Sequence, residues 1–463
     1  MRLQKKTLWG ILLKIKLKKV QYSQIKHVKL KRPKPKKPNI FFRTLLKIIT
    51  LSHLWAVKFR AEKKGMQRLG KREPCLILMN HCGFIDMEIA TSVFYPRPVN
   101  IVATSDAFIG KNWIMRKIGC IETRKYTLDV QIVKDINYTL KTLKSSVLIY
   151  PEATYSLDGR ATVLPDSVGK CLKMLGVPVV TVITEGAFMR QPVYNNLRKR
   201  KVKVSAKIEY LFSPEELKNL SADEINKKIR EKFAFDYFRE QTEKGIVIAD
   251  ETRAEGLNRI LYKCPCCGEE KMKGEGKTLA CLACGKTYEL TELGEMKALQ
   301  GETEFSNVSD WADWERAKVK EEIEGGRYEM NLPVRIMVMV DVKSVYDVGE
   351  GTLLHGLDGF HLTGCDGTLD YKQSPTAAYT INSDFNWYEI GDTINIGDLN
   401  TQYFCFPKIE GDFAFKARIA TEEIYISLPA QSVKKKAQIT GFKAPYIEKE
   451  KGARNSLLFS RGF

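Results

Sequence analysis

The sequence predicts an α/β domain with a mixed sheet flanked by helices, then a small cysteine-rich unit and an antiparallel β-rich C-terminal domain. Over residues 71–215 apolar, strand-like runs alternate with helical stretches, which is the pattern of α/β domains. Two closely spaced cysteine pairs follow. From Val334 to about Leu428, short apolar runs are separated by Gly and Asp, as in antiparallel sheets. A chain of 463 residues is long enough for about three domains.

Basic residues are concentrated at the start of the chain. The first 61 residues contain 18 Lys and Arg and no acid, whereas the rest has 57 Lys and Arg against 55 Asp and Glu. We predict that residues 1–38 form a basic tail suited to an anionic membrane surface. A solvated tail and an RNA-binding arm are the alternatives. No signal peptide is expected, because lysines interrupt the apolar stretch after Lys6.

Residues 39–70 are predicted to form an amphipathic helix at the membrane interface. On a helical wheel, polar side chains gather within about a third of the circumference and most of the rest is apolar. These polar residues are Arg43, Thr44, Lys47, Thr50 and Lys58. The charges make it a poor spanning segment, so we expect a peripheral, monotopic anchor.

The α/β domain is predicted to cover residues 71–250 and to place a histidine and a carboxylate at one strand end. The apolar run Cys75–Met79 predicts a buried strand, and His81 and Asp86 follow it within the sequence Asn-His-Cys-Gly-Phe-Ile-Asp. A carboxylate can hold one ring nitrogen of a histidine while the other acts as a general base. By itself, a histidine near a strand end is more often a core or surface residue.

A second polar cluster follows the next buried strand. Val147–Tyr150 predicts that strand, and the sequence Pro-Glu-Ala-Thr-Tyr-Ser comes directly after it. Open α/β sheets place their ligand sites at the carboxyl ends of their strands. The two clusters are therefore expected to face one cleft.

Together the two clusters resemble the glycerolipid acyltransferases of the lysophosphatidate acyltransferase (PlsC-like) family, with blocks N-H-x4-D and F-P-E-G-T-x-S. Gly119–Arg124 and Val177–Ile183 match the family's second and fourth blocks, and the resemblance covers about residues 40–215. It implies transfer of a fatty acyl group from acyl-CoA or acyl carrier protein to a lysoglycerolipid hydroxyl. The expected setting is phospholipid biosynthesis or remodelling at the cytoplasmic face of a membrane, without a catalytic cofactor.

The resemblance assigns roles to individual residues. His81 is the expected catalytic base and Asp86 its partner, so transfer would be direct, without an acyl-enzyme. Cys82 is the rival nucleophile. The expected substrate-binding residues are Asn80, Arg124, Glu152, Thr154 and Ser156. For Glu152 the alternative is that it only caps the following turn.

The chain departs from the family pattern where the acceptor should bind. Ala153 and Tyr155 stand where the family usually has Gly and Arg, and residues 166–169 lack the frequent lysine pair. The positive charges expected near an acceptor phosphate are therefore missing, apart from Arg124 and Arg160. This favours a lysolipid acceptor other than a simple phosphomonoester.

Four cysteines predict a structural zinc site. Cys264, Cys267, Cys281 and Cys284 form two C-x2-C pairs separated by thirteen residues, a spacing that fits tetrahedral Zn²⁺. Residues 255–292 resemble a zinc ribbon, and Cys266 is a spare that can compete as a ligand. Disulfides, redox chemistry and iron are the alternatives. Catalysis is not expected at a metal held by four thiolates, because no coordination position is open.

Residues 293–330 are predicted to be a helical linker and residues 331–463 a β-rich accessory domain. Its strand candidates include Tyr403–Phe406 and Glu423–Ile426, and Asp-Gly pairs mark hairpins. A PH-like fold and another small β-sandwich are both compatible with this pattern. His355 and His361 are interpreted as packing or surface residues.

A function of a different class is also compatible with the sequence. The basic arm and the ribbon could belong to a nucleic-acid-associated or scaffolding protein in which the α/β domain is structural. The nearly neutral charge of residues 62–463 disfavours this alternative, because nucleic-acid binders usually carry a basic face on the folded domain.

Overall fold

The computed structural model describes residues 15–27, 32–125 and 129–440, with side chains as far as residue 428. Strand β1 (Leu17–Lys19) runs parallel to a strand of the C-terminal sheet. Tyr22 then hydrogen-bonds Tyr403 at 3.0 Å, and Arg32 pairs with Asp129 at 2.6 Å. The described part of residues 1–38 thus lies on the body of the protein and not in a free tail, which corrects the prediction there. Residues 1–14 and 28–31 lie outside the described residues.

Helix α1 (Ile40–Ala56) turns its polar side towards the protein. Arg43 donates to the Pro96 carbonyl at 2.7 Å and Lys47 to Ser92 Oγ at 2.6 Å. The exposed apolar side chains of α1 are Ile40, Phe41, Leu45, Ile48, Leu51 and Trp55. The helix is shorter than the predicted 39–70, because residues 60–64 join the adjacent sheet. Among the described residues, no helix has the length and apolar character that crossing a bilayer requires.

The α/β domain is built on a seven-stranded sheet. Its strands are β2 (Arg60–Lys64), β3 (Leu76–Met79), β4 (Val99–Thr104), β5 (Cys120–Thr123), β6 (Ser146–Ile149), β7 (Val179–Glu185) and β8 (Ser205–Phe212). They lie in the order β2-β8-β7-β3-β6-β4-β5. Strands β2 and β8 run opposite to the other five, so the sheet is mixed, as predicted.

Helices cover both faces of this sheet. They are α2 (Ile85–Val93), α3 (Asn112–Lys117), α4 (Val130–Lys141), α5 (Ser167–Leu175), α6 (Ala187–Arg190), α7 (Pro214–Asn219), α8 (Ala222–Lys232) and α9 (Tyr237–Glu243). The position of strand β3 between two cores explains why its sequence is continuously apolar. Leu76 and Leu78 pack in the core with α4, α5, α7 and α8, while Ile77 and Met79 join the opposite core. A strand covered on both faces needs apolar residues at every position.

The cysteine-rich unit is a four-stranded antiparallel sheet that packs on a helix. The strands β9 (Met272–Glu275), β10 (Thr278–Cys281), β11 (Thr287–Leu290) and β12 (Met296–Ala298) lie in sequence order. Helix α10 (Val308–Glu324) follows, and its Trp311 is fully buried and donates to the Lys263 carbonyl. The sheet extends beyond the predicted 292. Residues 308–324 belong to the core, so the predicted linker is wrong there.

The C-terminal domain is an antiparallel sheet closed by a long helix. Its strands are β13 (Met330–Met339), β14 (Val345–Gly356), β15 (Gly359–Gly364), β16 (Leu369–Gln373), β17 (Asn382–Trp387), β18 (Gly391–Gly397) and β19 (Gln402–Pro407). The order is β16-β15-β14-β13-β19-β18-β17, with β1 added beside β14. Residues 423–426, predicted as a strand, lie in α11 (Phe413–Thr440). The β-rich prediction holds for Met330–Pro407.

Candidate active site

His81 and Asp86 meet at the carboxyl end of β3, where the chain turns into α2. The distance from His81 Nδ1 to Asp86 Oδ2 is 3.0 Å. Asp86 is fully buried, and the same oxygen accepts hydrogen bonds from the backbone N–H groups of Cys82 and Gly83. With a carboxylate as its partner, Nδ1 carries the proton and donates it. This leaves the Nε2 lone pair available as a base.

The His81 ring lies against two tyrosines. The ring centroid is 3.8 Å from that of Tyr150, with planes 17° apart, and 4.1 Å from that of Tyr155, with planes 34° apart. These contacts restrict the imidazole to a narrow range of orientations. Sequence reasoning missed this role. The sequence did contain a signal for this role, since Tyr150 and Tyr155 both belong to the second polar cluster, which was expected to face His81.

Glu152 ties the two strand-end loops together. It is almost fully buried, and its carboxylate accepts hydrogen bonds from the N–H groups of His81 at 3.2 Å and Thr162 at 3.0 Å. Burial raises the pKa of Glu152 to about 7. The Ser156 N–H donates to the His81 carbonyl at 2.9 Å. Residues 152–156 therefore fix the backbone of His81 on both sides.

The other predicted substrate-binding residues also lie behind the histidine. The Asn80 side chain accepts from Thr184 N–H at 2.9 Å and donates to Tyr237 Oη at 2.5 Å. Thr154 is buried. Asn80, Glu152, Thr154 and Ser156 are all absent from the lining of the large cavity described below. A direct contact with substrate stays a prediction for them, and their observed contacts are within the protein.

Ala153, where the family pattern usually has glycine, adopts a backbone conformation that favours glycine. Its φ is 55°, in the left-handed region that glycine adopts without a steric cost and alanine does not. Ala153→Gly is therefore expected to be accommodated in the turn after β6 without strain.

Cys82 is placed poorly for nucleophilic catalysis. It is fully buried, its Sγ lies 3.4 Å from Tyr237 Oη, and burial raises the pKa of its thiol well above the usual value. The thiolate is the reactive form of cysteine. This environment disfavours the thiolate and supports direct transfer.

His81 lines a cavity of about 1280 Å³ that is mostly apolar. Apolar lining residues come from α1, α4 and α5, and Leu45, Val133 and Met174 are examples. Cavities of this kind, with a few placed polar groups, are typical ligand sites. A volume above that of most small-molecule pockets suits a long hydrocarbon chain.

Five cationic residues also line the cavity, and no acidic residue is among its described lining residues. They are Lys111, Arg124, Lys125, Lys134 and Lys170. The expectation that further positive charges would be missing is therefore wrong, because four lysines outside the matched blocks join Arg124 at the cavity. Arg160 does not contribute to this lining, since it pairs with Asp158 at 2.8 Å and with Asp313.

Arg124 is the predicted acceptor-binding residue that does reach the cavity. Only 3% of it is exposed, and Nη2 donates to the Val340 carbonyl at 3.1 Å. Its Nε and Nη1 have no hydrogen-bond partner among the described residues. Burial lowers the pKa of the guanidinium. Buried donors without partners cost free energy, so an anionic oxygen bound here would stabilise the site.

The four predicted cysteine ligands converge in the small sheet. The sulfurs of Cys264, Cys267, Cys281 and Cys284 all lie within 4.8 Å of one another. The Cys264 to Cys284 and Cys267 to Cys281 distances are 3.7 and 3.6 Å. Tetrahedral zinc at about 2.3 Å from each sulfur requires sulfurs about 3.8 Å apart. The cluster could thus hold a metal ion, and Cys266 stays outside it, exposed.

Comparison with known proteins agrees with the geometry of the site. Residues 60–185 match the family described as Acyltransferase. The crystal structure of the 1-acyl-sn-glycerophosphate (LPA) acyltransferase PlsC from Thermotoga maritima is similar at 17% identity and a TM-score of 0.34. That similarity covers 42% of this chain and 77% of that chain. A search of curated proteins gives no match. The predicted resemblance to acyltransferases is confirmed for residues 60–185, which match the Acyltransferase family.

Proposed function

We propose that the protein is an O-acyltransferase that transfers a fatty acyl group from a thioester donor to a hydroxyl of a lysoglycerolipid. The hydrogen bond between His81 Nδ1 and Asp86 Oδ2 at the edge of a large apolar cavity carries the proposal. This arrangement places a general base beside a cavity that can hold a lipid chain. In this proposal the reaction resembles that of 1-acylglycerol-3-phosphate O-acyltransferases, with acyl-CoA or acyl carrier protein as donor.

The arrangement supports a direct transfer mechanism. His81 Nε2 removes the proton of the acceptor hydroxyl as its oxygen attacks the thioester carbonyl. Asp86 stabilises the imidazolium through Nδ1–H, as the carboxylate of a serine-protease triad does. The tetrahedral intermediate then collapses, the carbon–sulfur bond breaks, and the imidazolium returns the proton to the leaving thiolate.

The charge of the cavity supports an anionic substrate. Arg124 Nε and Nη1 have no partner among the described residues, and Lys134 and Lys170 lie on helices that border the same cavity. A guanidinium donates strong, charge-assisted hydrogen bonds to phosphate oxygens. We propose that Arg124 binds a phosphate of the lysolipid acceptor. The family's lysine pair is absent, but other lysines line the cavity, so phosphomonoester and phosphodiester lysolipids are both candidate acceptors.

The outer face of α1 supports action at a membrane surface. Trp55 is 85% exposed, Phe41 66% and Trp113, on the neighbouring α3, also 66%. Exposed apolar patches of this kind mark interaction sites, and aromatic residues are favoured at membrane interfaces. Phe42 and Leu45 of the same helix line the cavity. We therefore propose a monotopic enzyme at the cytoplasmic membrane face, where a lipid chain could enter beside α1.

The cysteine cluster is proposed to be a structural zinc site. Metal analysis of the purified protein is expected to give one zinc per chain, and chelation should lower the thermal unfolding temperature because metal binding is coupled to folding. Cys281→Ser should lose the metal, whereas the matched Cys266→Ser should retain it. Retention of zinc by Cys281→Ser would contradict this assignment.

The experiment that tests the proposed function measures thiol release by the full-length protein on anionic liposomes. Acyl-CoA and acyl carrier protein serve as donors, and a panel of lysolipids and other alcohols as acceptors. Release should require an acceptor and disappear in His81→Ala. If neither wild type nor His81→Ala released thiol with any donor, the proposal would be overturned. For the alternative nucleic-acid function, Arg32 of the basic segment is already paired with Asp129 on the protein body.

A further inference from the structure

We infer that the C-terminal β-rich domain forms one wall of the acyltransferase cavity and selects the hydrocarbon chain of the substrate. This inference rests on the proposed function. Residues 376–379, in the loop between β16 and β17, line the same cavity as His81. Tyr388, from the turn after β17, and Tyr425 of α11 also line it. The cavity is thus shared between two domains, and the family match at residues 60–185 covers only one of them.

The wall shares the cavity with the residues around His81. Tyr388 and Tyr155 both line the cavity, and Tyr155 lies against the His81 ring. Lys111, from the segment between β4 and α3, lies 5.6 Å from the centre of the Tyr388 ring. Tyr388 therefore connects the β-rich domain to the cavity that His81 lines.

An apolar contact fixes the wall in place. Ile109 of the α/β domain is fully buried in a cluster with residues of the C-terminal sheet, among them Met337, Trp387 and Phe404. Domain interfaces move easily unless they are large and hydrophobic. The packing of Ile109 among these residues holds the C-terminal sheet against the α/β domain.

A buried ionic network crosses the same boundary. Lys125 pairs with Asp106 at 3.2 Å on its own domain and with Asp384 at 2.9 Å on the β-rich domain. Trp387 Nε1 donates to Asp106 Oδ2 at 3.3 Å. Removing one partner from such a buried pair is costly. The two domains are therefore expected to act as one unit around the cavity.

The chemistry of the wall fits a hydrocarbon chain. Ala377 and Ala378 present methyl groups, and Tyr379, Tyr388 and Tyr425 present aromatic rings. The cations of the cavity come from the α/β domain. Because these wall residues carry no charge, we predict that the headgroup binds beside the cations of the α/β domain. The hydrocarbon chain is then expected to contact the β-rich wall as well as the apolar residues of α1, α4 and α5.

Chain selection by this wall can be measured without turnover. The probes are non-reactive thioether analogues of acyl-CoA with short, medium and long chains, and lysolipids of the same three lengths, bound to the full-length protein. Ala378→Trp fills the cavity from the β-rich side, and Tyr388→Ala enlarges it. Lys372→Trp, at an exposed position of β16, and Tyr346→Ala, on β14, are matched controls on the same domain that do not line the cavity. Thermal unfolding checks that each variant is folded.

We expect Ala378→Trp to weaken binding of the long-chain probe by about tenfold relative to the short one, since loss of burial of about two methylene groups lowers affinity by that factor. Tyr388→Ala should shift the preference towards longer chains, and both controls should keep the wild-type profile. A shift confined to the thioether series assigns the wall to the donor chain, and a shift confined to the lysolipids assigns it to the acceptor. Unchanged profiles in folded Ala378→Trp and Tyr388→Ala would overturn the inference. Because the readout is binding, absence of acyl transfer would refute the proposed function alone.

Discussion

Two histidines, one in each large domain, have closely similar immediate contacts. His81 stacks on Tyr150 at 3.8 Å and its Nδ1 lies 3.0 Å from Asp86. His355 stacks on Phe360 at 3.8 Å and its Nδ1 lies 3.0 Å from the hydroxyl of Tyr328. Stacking and a hydrogen bond at Nδ1 therefore do not identify a catalytic histidine.

The difference lies in the partner and in access. The side chain of His81 is 21% exposed, opens into the cavity and has a carboxylate partner. His355 is 2% exposed and has a neutral partner, and burial lowers its pKa to about 3. A general base must accept a proton from a substrate and be stabilised while charged. His81 meets both conditions, and His355 meets neither.

The largest expected effect comes from removing each histidine. His81→Ala should lower kcat/KM by about 10³-fold, within the range for loss of a general base. His355→Ala should leave kcat nearly unchanged and lower the unfolding temperature, because it removes a buried stacked ring. Steady-state acyl transfer and thermal unfolding of both variants test this. A comparable loss of kcat in folded His355→Ala would break the comparison.

The next largest effect concerns the two Nδ1 partners. Asp86→Asn should lower kcat by about 10²-fold, because the amide no longer stabilises the imidazolium and can favour the wrong tautomer. Tyr328→Phe is the matched change, since it removes the hydrogen bond to His355 and should leave kcat unchanged. The measurement is kcat across a pH series. Equal kcat in wild type and Asp86→Asn would show that the carboxylate is dispensable.

The site pair was predictable because its signal is local in sequence. His81 and Asp86 lie five residues apart after an apolar strand, and Cys264–Cys267 repeats its spacing at Cys281–Cys284. In both patterns, residues that are close in sequence are also close in the folded protein. The order of strands and polar clusters likewise predicted the mixed α/β sheet.

Features that depend on contacts between distant segments were not predictable. Lys111, Lys134 and Lys170 belong to separate elements, and only the folded sheet brings them to one cavity. Residues 423–426 were mistaken for a strand because four residues are too few to separate a strand from part of a buried helix. Tyr388 lies more than two hundred residues from His81 in sequence, so no spacing relates them.

The third prediction concerns the pH dependence of stability. Since the pKa of His355 is about 3 in the folded protein and about 6.5 when unfolded, the unfolded state binds the extra proton between these values. Stability contributed by neutral His355 is thus complete above pH 6.5 and is lost as pH falls towards 3. Between pH 7 and 5 the loss should be about 2 kcal/mol.

His355→Gln should abolish this contribution. The free energy of urea unfolding, measured for wild type and His355→Gln at several pH values, should differ less at pH 5 than at pH 7 by that amount. A difference that stays constant with pH would mean that His355 is solvated or protonated in the folded protein. It would also weaken the contrast with His81.

The smallest expected effect concerns Tyr155 and Phe360, two aromatic residues that contact His81 and His355 respectively. Tyr155 lies against His81 at 4.1 Å, and aromatic pairs contribute about 0.5 to 1.5 kcal/mol, so Tyr155→Ala should lower kcat by about twofold to tenfold. Tyr155→Phe keeps the ring and should retain most of the activity, which would show that orientation of the imidazole is the role of this residue. Phe360→Ala, the corresponding change beside His355, should lower the unfolding temperature without lowering kcat. If Tyr155→Phe instead lost as much activity as Tyr155→Ala, the hydroxyl of Tyr155 would be the important group, and a contact with substrate would replace stacking as its function.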